Sequence, residues 1–208
     1  MKTVLFNCYN EKHIDLANLV TPHVERYCDA VGYTYEKFLI EDTHIQKHRY
    51  LLARELIKRY DTVIYLDTDI FPLRHEPLNG MGWSADFEIL IDRANICTGA
   101  MIFRKSDFTT WFLESCCRIV PKEQPSYRLQ EEDNIVRLVL MHEECRGHTR
   151  FIPEHIIAGP WFQEDYIKPI FYHAWSTGYG YDFVYKLMYE LVKLTLPITC
   201  ETLGPLVR

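Results

Sequence analysis

Residues 62–71 read Thr-Val-Ile-Tyr-Leu-Asp-Thr-Asp-Ile-Phe. The first five are β-branched, aromatic or aliphatic without polar alternation, the pattern of a strand buried on both faces. Asp67 and Asp69 stand at its C-terminal mouth. Strands covered on both sides belong to parallel sheets, where ligands bind beyond the carboxyl ends. If the backbone stays extended through Asp69, alternation turns both carboxylates to one side and Thr68 to the other. Two oxygen ligands on one side suit Mg²⁺ or Mn²⁺. A solvated loop in which Asp caps a turn has the same spacing, so spacing alone leaves both readings open.

The flanking pattern supports a parallel sheet. Thr3–Tyr9 reads as a short buried strand, and Ile14, Ala17, Val20, Val24, Tyr27, Cys28 and Val31 recur at helical spacing, with a kink expected at Pro22. Tyr33–Ile40 is a second strand, and Lys47–Tyr60 places Leu52, Ala53, Leu56, Ile57 and Tyr60 on one helical face. Alternating strands and helices imply right-handed crossovers and an α/β fold with a mainly parallel central sheet flanked by helices. Beyond a turn-rich stretch from Phe71 to Trp83, strands are expected at Phe87–Ile91, Ala100–Phe103 and Phe171–Trp175. Helices are expected at Asp107–Val120, capped by Ser106, and at Arg128–Met141 and Tyr181–Leu194. No repeat or linker interrupts the 208 residues, so a single domain over 1–208 is expected.

Composition narrows the function. With 48% hydrophobic residues, 9 Gly and 10 Pro, the chain is neither collagen-like nor disordered. A net charge of −6 lacks the surplus of cations that nucleic acid requires, so no nucleic-acid partner is expected. The first apolar run, Val4-Leu5-Phe6, ends at Asn7 and is too short for a signal peptide, and no run approaches the ~18 apolar residues of a membrane helix. The seven Cys include the adjacent Cys116-Cys117, which fits reduced thiols and a cytoplasmic, unanchored protein.

The segment from Lys47 through Ile64-Tyr65-Leu66-Asp67-Thr68-Asp69-Ile70-Phe71 resembles the D-x-D region of GT-A glycosyltransferases, and three further blocks follow in that family's order. Asp92 with Cys97-Thr98-Gly99-Ala100-Met101-Ile102-Phe103-Arg104 resembles the donor-sugar segment. Glu131-Glu132-Asp133-Asn134 resembles the acidic helix start beside the anomeric carbon. Tyr172-His173-Ala174-Trp175-Ser176-Thr177-Gly178 resembles the late block whose His completes the metal site. The likeness is nearest to retaining galactosyl, mannosyl and xylosyl transferases and to the small GT-A domains of large algal viruses, which suggests a virus-encoded enzyme of the host cytoplasm as one setting. Two positions depart from it. Cys97 replaces the family's usual Asn before x-Gly, and Tyr179 and Tyr181 stand where a Lys often follows the metal His.

The resemblance implies a single Rossmann-like GT-A domain that transfers a hexosyl group from a UDP-sugar donor to a glycan acceptor hydroxyl. Asp67, Asp69 and His173 would hold Mn²⁺, with Mg²⁺ as the alternative; a site that includes imidazole suits Mn²⁺ better than Ca²⁺. Asp133 would stabilise an oxocarbenium-like transition state or act as nucleophile or base. Asp92 would hydrogen-bond the donor's hydroxyls, and Thr68 and Gly178 lie in the donor-binding blocks. From position alone, Phe6, Asn7 and Tyr9 end the first strand where a parallel sheet opens its crevice, and Tyr9 could stack on the base. Lys47, at a helix start, could reach phosphate or ribose. Trp161, Trp175 and Tyr179 are candidate sugar platforms.

Two other enzymatic or binding classes use similar residues. A haloacid-dehalogenase-like phosphatase also ends a parallel strand in D-x-D with Mg²⁺, but its pair follows the first strand, whereas Asp67 follows the third predicted one. A sugar-nucleotide or glycan-binding module on the same fold is the non-enzymatic reading. His142, Cys145 and His148 have a spacing that suggests zinc, weakly, with three ligands in an acidic segment.

Overall fold

The computed structural model describes residues 1–41, 45–78, 85–92, 95–119, 140–145, 147–153, 156–158 and 169–173. Its first strands lie where the apolar runs place them: β1 is Thr3–Tyr9, β2 Thr34–Leu39 and β3 Thr62–Leu66. β1 pairs in parallel with both β2 and β3. The connecting helices are α1, Ile14–Val31, and α2, Ile45–Leu56. α1 runs through Pro22 as one helix. It stops at Gly32, whose φ of 76° is the left-handed conformation glycine adopts without a Cβ penalty, so its N–H can turn back to the Cys28 carbonyl.

The sheet continues past a short strand, β4, Ile70–Pro72, which belongs to a second sheet. β5 is Phe87–Asp92, β6 Asn95–Arg104 and β7 Thr149–Ile152, and the strand order is β2-β1-β3-β6-β5-β7. β6 is antiparallel to both β3 and β5, while β5 and β7 are parallel. The sheet is therefore mainly parallel, with one strand reversed. This reversal turns the early residues of β6, Cys97 to Gly99, toward the same sheet edge as the C-terminal ends of β1 and β3.

Alternation along the strands divides the core between two faces. Leu5, Ile64, Leu66, Leu90, Ala100 and Ile102 face α1, which contributes Leu16, Val20, Val24 and Tyr27. Val4, Phe6, Val63, Tyr65, Phe87, Met101 and Phe103 face α2 and a third helix, α3, Asp107–Ile119. Ser106 caps α3 as expected, its Oγ accepting from the Thr109 N–H at 3.1 Å. The helices thus cover both faces, as right-handed crossovers require when the chain steps from β1 outward to β2 and back to β3.

The stretch read as turns from Phe71 contains β4, Ile70–Pro72. It joins β8, Ile157–Ala158, and β9, Phe171–His173, in a three-stranded sheet ordered β4-β9-β8. β4 and β9 are antiparallel, with Ile70 opposite His173. The expected helices at 128–141 and 181–194 lie outside the described residues, apart from Leu140 and Met141.

Candidate active site at the end of β3

The backbone leaves β3 after Leu66 and turns at once, with the Ile70 N–H donating to the Asp67 carbonyl at 3.1 Å. Asp67 and Asp69 therefore do not share an extended strand face; the carboxylates converge because the chain folds back. The turn runs straight into β4, and the pairing of Ile70 with His173 sets the imidazole beside Asp69. His173 Nε2 lies 3.5 Å from Asp69 Oδ1. One ligand atom from each of Asp67, Asp69 and His173 lies within 4.8 Å of the others.

These residues fit a divalent cation. Adjacent oxygens around an octahedral ion with ~2.1 Å bonds stand ~3 Å apart and opposite ones ~4.2 Å, so small adjustments suffice. The chain also keeps the space clear. The Asp67 N–H donates to the Gly99 carbonyl at 2.7 Å, which brings β6 against the turn, and a Cβ on Gly99 would come 2.9 Å from Asp67 Oδ2 and 3.3 Å from His173 Cε1. Gly99→Ala is expected to displace the Asp67 carboxylate while leaving the β-ladder paired. Mn²⁺ affinity should fall about 10-fold or more, the scale seen when a ligand's support is lost. Titration of Mn²⁺ beside a melting curve would check this; unchanged affinity would remove Gly99 from the site.

Buried polar groups hold Asp67 from behind. The Tyr65 hydroxyl donates to Asp67 Oδ1, and burial pushes its pKa well above the usual value, with the Asp67 charge adding to the shift, so Tyr65 stays a neutral donor. The Arg49 guanidinium lies over the Tyr65 ring, 5.1 Å from its centroid, and donates from Nη1 to the Thr98 carbonyl and Oγ1, both at 2.9 Å. Arg49 thereby locks α2 to β6 next to Gly99. Asn7 links β1 to the same corner: its Nδ2 donates to the Leu66 carbonyl at 2.5 Å and its Oδ1 accepts from Tyr35 at 2.7 Å.

Electrostatics treat Asp69 and His173 as a pair. Burial pushes the Asp69 carboxyl up, but the charge and hydrogen bond of the His173 ring outweigh it and leave Asp69 below its ordinary range. Burial pulls His173 down, and Asp69 with the Cys97 side chain more than reverses this, raising it well above the usual imidazole value. A cation entering the triad competes with the proton on that ring.

Other candidate residues fall in varied places. Phe6 is fully buried and packs on Phe38 and Tyr65, so its side chain belongs to the core. Tyr9 and Thr68 are half-buried at the ends of β1 and β3. Lys47 lies on α2 within electrostatic reach of Cys117 on α3. Asp92 ends β5, paired in register with Asn95. Asp133, Gly178, Trp161, Trp175 and Tyr179 lie outside the described residues. His142 Nδ1 stands 3.4 Å from Glu144 Oε2 at the surface, His148 meets Asp86 at 2.5 Å, and Cys145 is buried. Among the described residues these three form no ligand cluster, whereas Asp67, Asp69 and His173 do.

Sequence reading passes over His13. It ends the 3-10 turn Glu11–His13 after β1, and its Nδ1 lies 2.9 Å from Asn10 Oδ1. Burial lowers its pKa against the opposing pull of Asp69 and Asp67, which places it near both carboxylates. Its position just past the first strand, at the crevice, is the signal that could have found it.

Comparison with protein-family models and with curated protein sequences yields no match. Solved structures do match. A glycosyltransferase involved in the glycosylation of the major capsid of PBCV-1 aligns with a TM-score of 0.71 and 13% identity, over 91% of this chain and 100% of that one. GlyE of Streptococcus pneumoniae TIGR4 aligns at 0.64 with 10% identity, over 100% of this chain and 62% of that one. A mutant of Drosophila β1,4-galactosyltransferase 7 in complex with manganese, UDP-Gal and xylobiose aligns at 0.50 with 13% identity, over 84% and 71%. The fold of this chain is that of GT-A glycosyltransferases.

Proposed function

We propose that this chain is a metal-dependent glycosyltransferase, a single GT-A domain that moves a hexosyl group from a UDP-sugar to a glycan hydroxyl. The observation that carries the reading is the Asp67–Asp69–His173 triad at the C-terminal end of β3. Three ligands of this hardness match Mn²⁺, or Mg²⁺, better than a structural zinc. When bound, the ion supplies Lewis-acid neutralisation of the charge that grows on the departing diphosphate.

The residues divide the remaining work. Asp67 and Asp69 supply negative charge, and Tyr65 and Asn7 orient the strand end that carries it. Asn7, Tyr9, Thr68 and the Phe6 backbone lie at the crevice where β1 and β3 diverge, suited to a nucleotide. Lys47 and Gly178 are assigned to the nucleotide and phosphates, and Asp92 to the sugar hydroxyls. The complex of the Drosophila enzyme with manganese, UDP-Gal and xylobiose supports this choice of ion, donor class and glycan acceptor. The adjacent Cys116 and Cys117, which cannot easily share a disulfide, support a reducing, cytoplasmic setting. No helix among the described residues is long and apolar enough to cross a membrane.

Turnover of a panel of UDP-sugars with Mn²⁺, followed as UDP release, tests the reading directly. Phosphate release from phosphomonoesters with no attack on UDP-sugars would replace it with a phosphatase, and donor binding without turnover with a binding module. Asp133 is assigned to the anomeric carbon. Asp133→Asn keeps its size and removes its charge, so kcat should fall roughly 10²-fold while UDP affinity stays level. A surface acid at a helix start would instead cost about 0.3–1 kcal/mol of stability and leave kcat alone.

A further inference from the structure

The sulfur of Cys97 is drawn into the site by two neighbours. Cys97 is the third residue of β6, half-buried, and stands opposite Leu90 in the ladder. It stands beside the His173 side chain, a ring with only 6% of its surface exposed. Its Sγ lies 3.4 Å from the point a Cβ of Gly99 would occupy, and His173 Cε1 lies 3.3 Å from that same point. Thiol and imidazole therefore border one small notch, which stays open because residue 99 has no side chain. The sulfur lies outside the cluster of Asp67, Asp69 and His173, whose ligand atoms all stand within 4.8 Å of one another.

A ligating imidazole needs its orientation fixed by a partner other than the ion, and that partner is ordinarily a carboxylate, a carbonyl or water. Here, β9 sets the height of the His173 ring through its pairing with β4, but strand pairing does not fix rotation about the side-chain bonds. Asp69 approaches Nε2, and the thiol borders the same ring from across the notch at Gly99.

We propose that Cys97 is a positioning residue of the metal centre: its thiol holds the His173 imidazole in the rotamer that presents Nε2 beside Asp69, and so sets the affinity for the divalent ion. The proposal rests on the metal-dependent reading above. Cysteine suits the place because the sulfur is large enough to span from β6 to the ring and accepts only a weak hydrogen bond, leaving the imidazole free to ligate.

The test is Mn²⁺ affinity of the whole chain without donor, read from the electron-spin resonance of free Mn²⁺, on four proteins beside the unaltered one. Cys97→Ala should weaken Mn²⁺ binding about 10-fold, the lower end for loss of a group supporting a ligand. Cys97→Ser, which keeps a hydroxyl partner in the same position, should recover most of it. With His173→Ala already present, adding Cys97→Ala should change nothing further, because the thiol acts only through the ring. Equal losses in both backgrounds would overturn the proposal, as would unchanged affinity in Cys97→Ala. An intense near-ultraviolet thiolate-to-metal band in the Co²⁺-loaded chain, lost in Cys97→Ser, would also overturn it by making sulfur a direct ligand. The two readings separate cleanly: an unaltered chain that holds no Mn²⁺ ends both, whereas one that holds Mn²⁺ with or without the thiol ends this proposal alone.

Discussion

Alanine at Asp67 or at Asp69 is expected to lower glycosyl transfer roughly a thousandfold or more, the loss expected when the charge stabiliser of a departing diphosphate goes. Each substitution removes one of the three side chains proposed to hold the ion. The remaining pair would hold the ion far less tightly, and for Asp69→Ala the buried His173 also loses the carboxylate 3.5 Å away. UDP binding should weaken only in the presence of metal, because in the proposed site both carboxylates would reach the nucleotide only through the ion. Chelation of the unaltered chain by EDTA should give the same phenotype. Added Mn²⁺ should restore more activity than Ca²⁺, which prefers longer bonds and more oxygen ligands. Steady-state UDP release across a metal titration measures all of this, and full activity in either variant would sink the assignment of the triad.

A second large effect should arise away from the site. Glu88 on β5 is fully buried and paired with Arg104 Nη1 on β6, and Arg104 also donates to the Ala85 carbonyl at 2.6 Å. Burial pushes the Glu88 carboxyl up, against the opposing pull of Arg104. Among the described residues, Glu88 Oε2 and Arg104 Nη2 meet no partner. Glu88→Ala leaves the guanidinium in the core without its counter-ion, which costs about 3–5 kcal/mol for a buried pair. The lower end applies here because Arg104 keeps 16% of its side-chain surface. Replacing both partners, Glu88→Leu with Arg104→Met, should return most of the loss, since apolar groups of similar volume need no ionic partner. Urea midpoints at constant slope would report it. A loss below about 1 kcal/mol in the single variant would mean that water reaches the pair.

Much of the large sheet is legible before any coordinates. β1 and β3 have the bounds that their apolar runs predict, because strands buried on both sides must be apolar throughout. The direction of β6 is not legible: Ala100–Phe103 reads as a strand, but apolar pattern carries face and burial, not whether a neighbour runs up or down. The small sheet is legible only in part. β9 lies within the strand expected at Phe171–Trp175, but three residues in β4 and two in β8 are too few to show a period, and the pairing of β4 with β9 spans about half the chain. The triad is a mixed case. Its members are found by motif resemblance, yet the geometric reason given for the two Asp, an extended backbone, is replaced by a turn after Leu66. Arg49 and His13 illustrate what local pattern hides. One reads only as a basic neighbour of Lys47 and is buried against Tyr65; the other is one of nine histidines with no motif around it.

The pairing of Ile70 with His173 makes the little sheet a gauge for the chemistry. Strand side chains change sides at every residue, so a slip of one position between β4 and β9 would carry His173 to the far side while the sheet stayed paired and the fold stayed whole. Substitutions in β8 or β9 that loosen this pairing should therefore look like enzymatic lesions rather than folding ones: the protein would be made, would melt normally and would have lost its hold on the ion. Natural variation in this sheet is then constrained by alignment to within one residue, a tighter demand than burial alone would place on Phe171 or Tyr172.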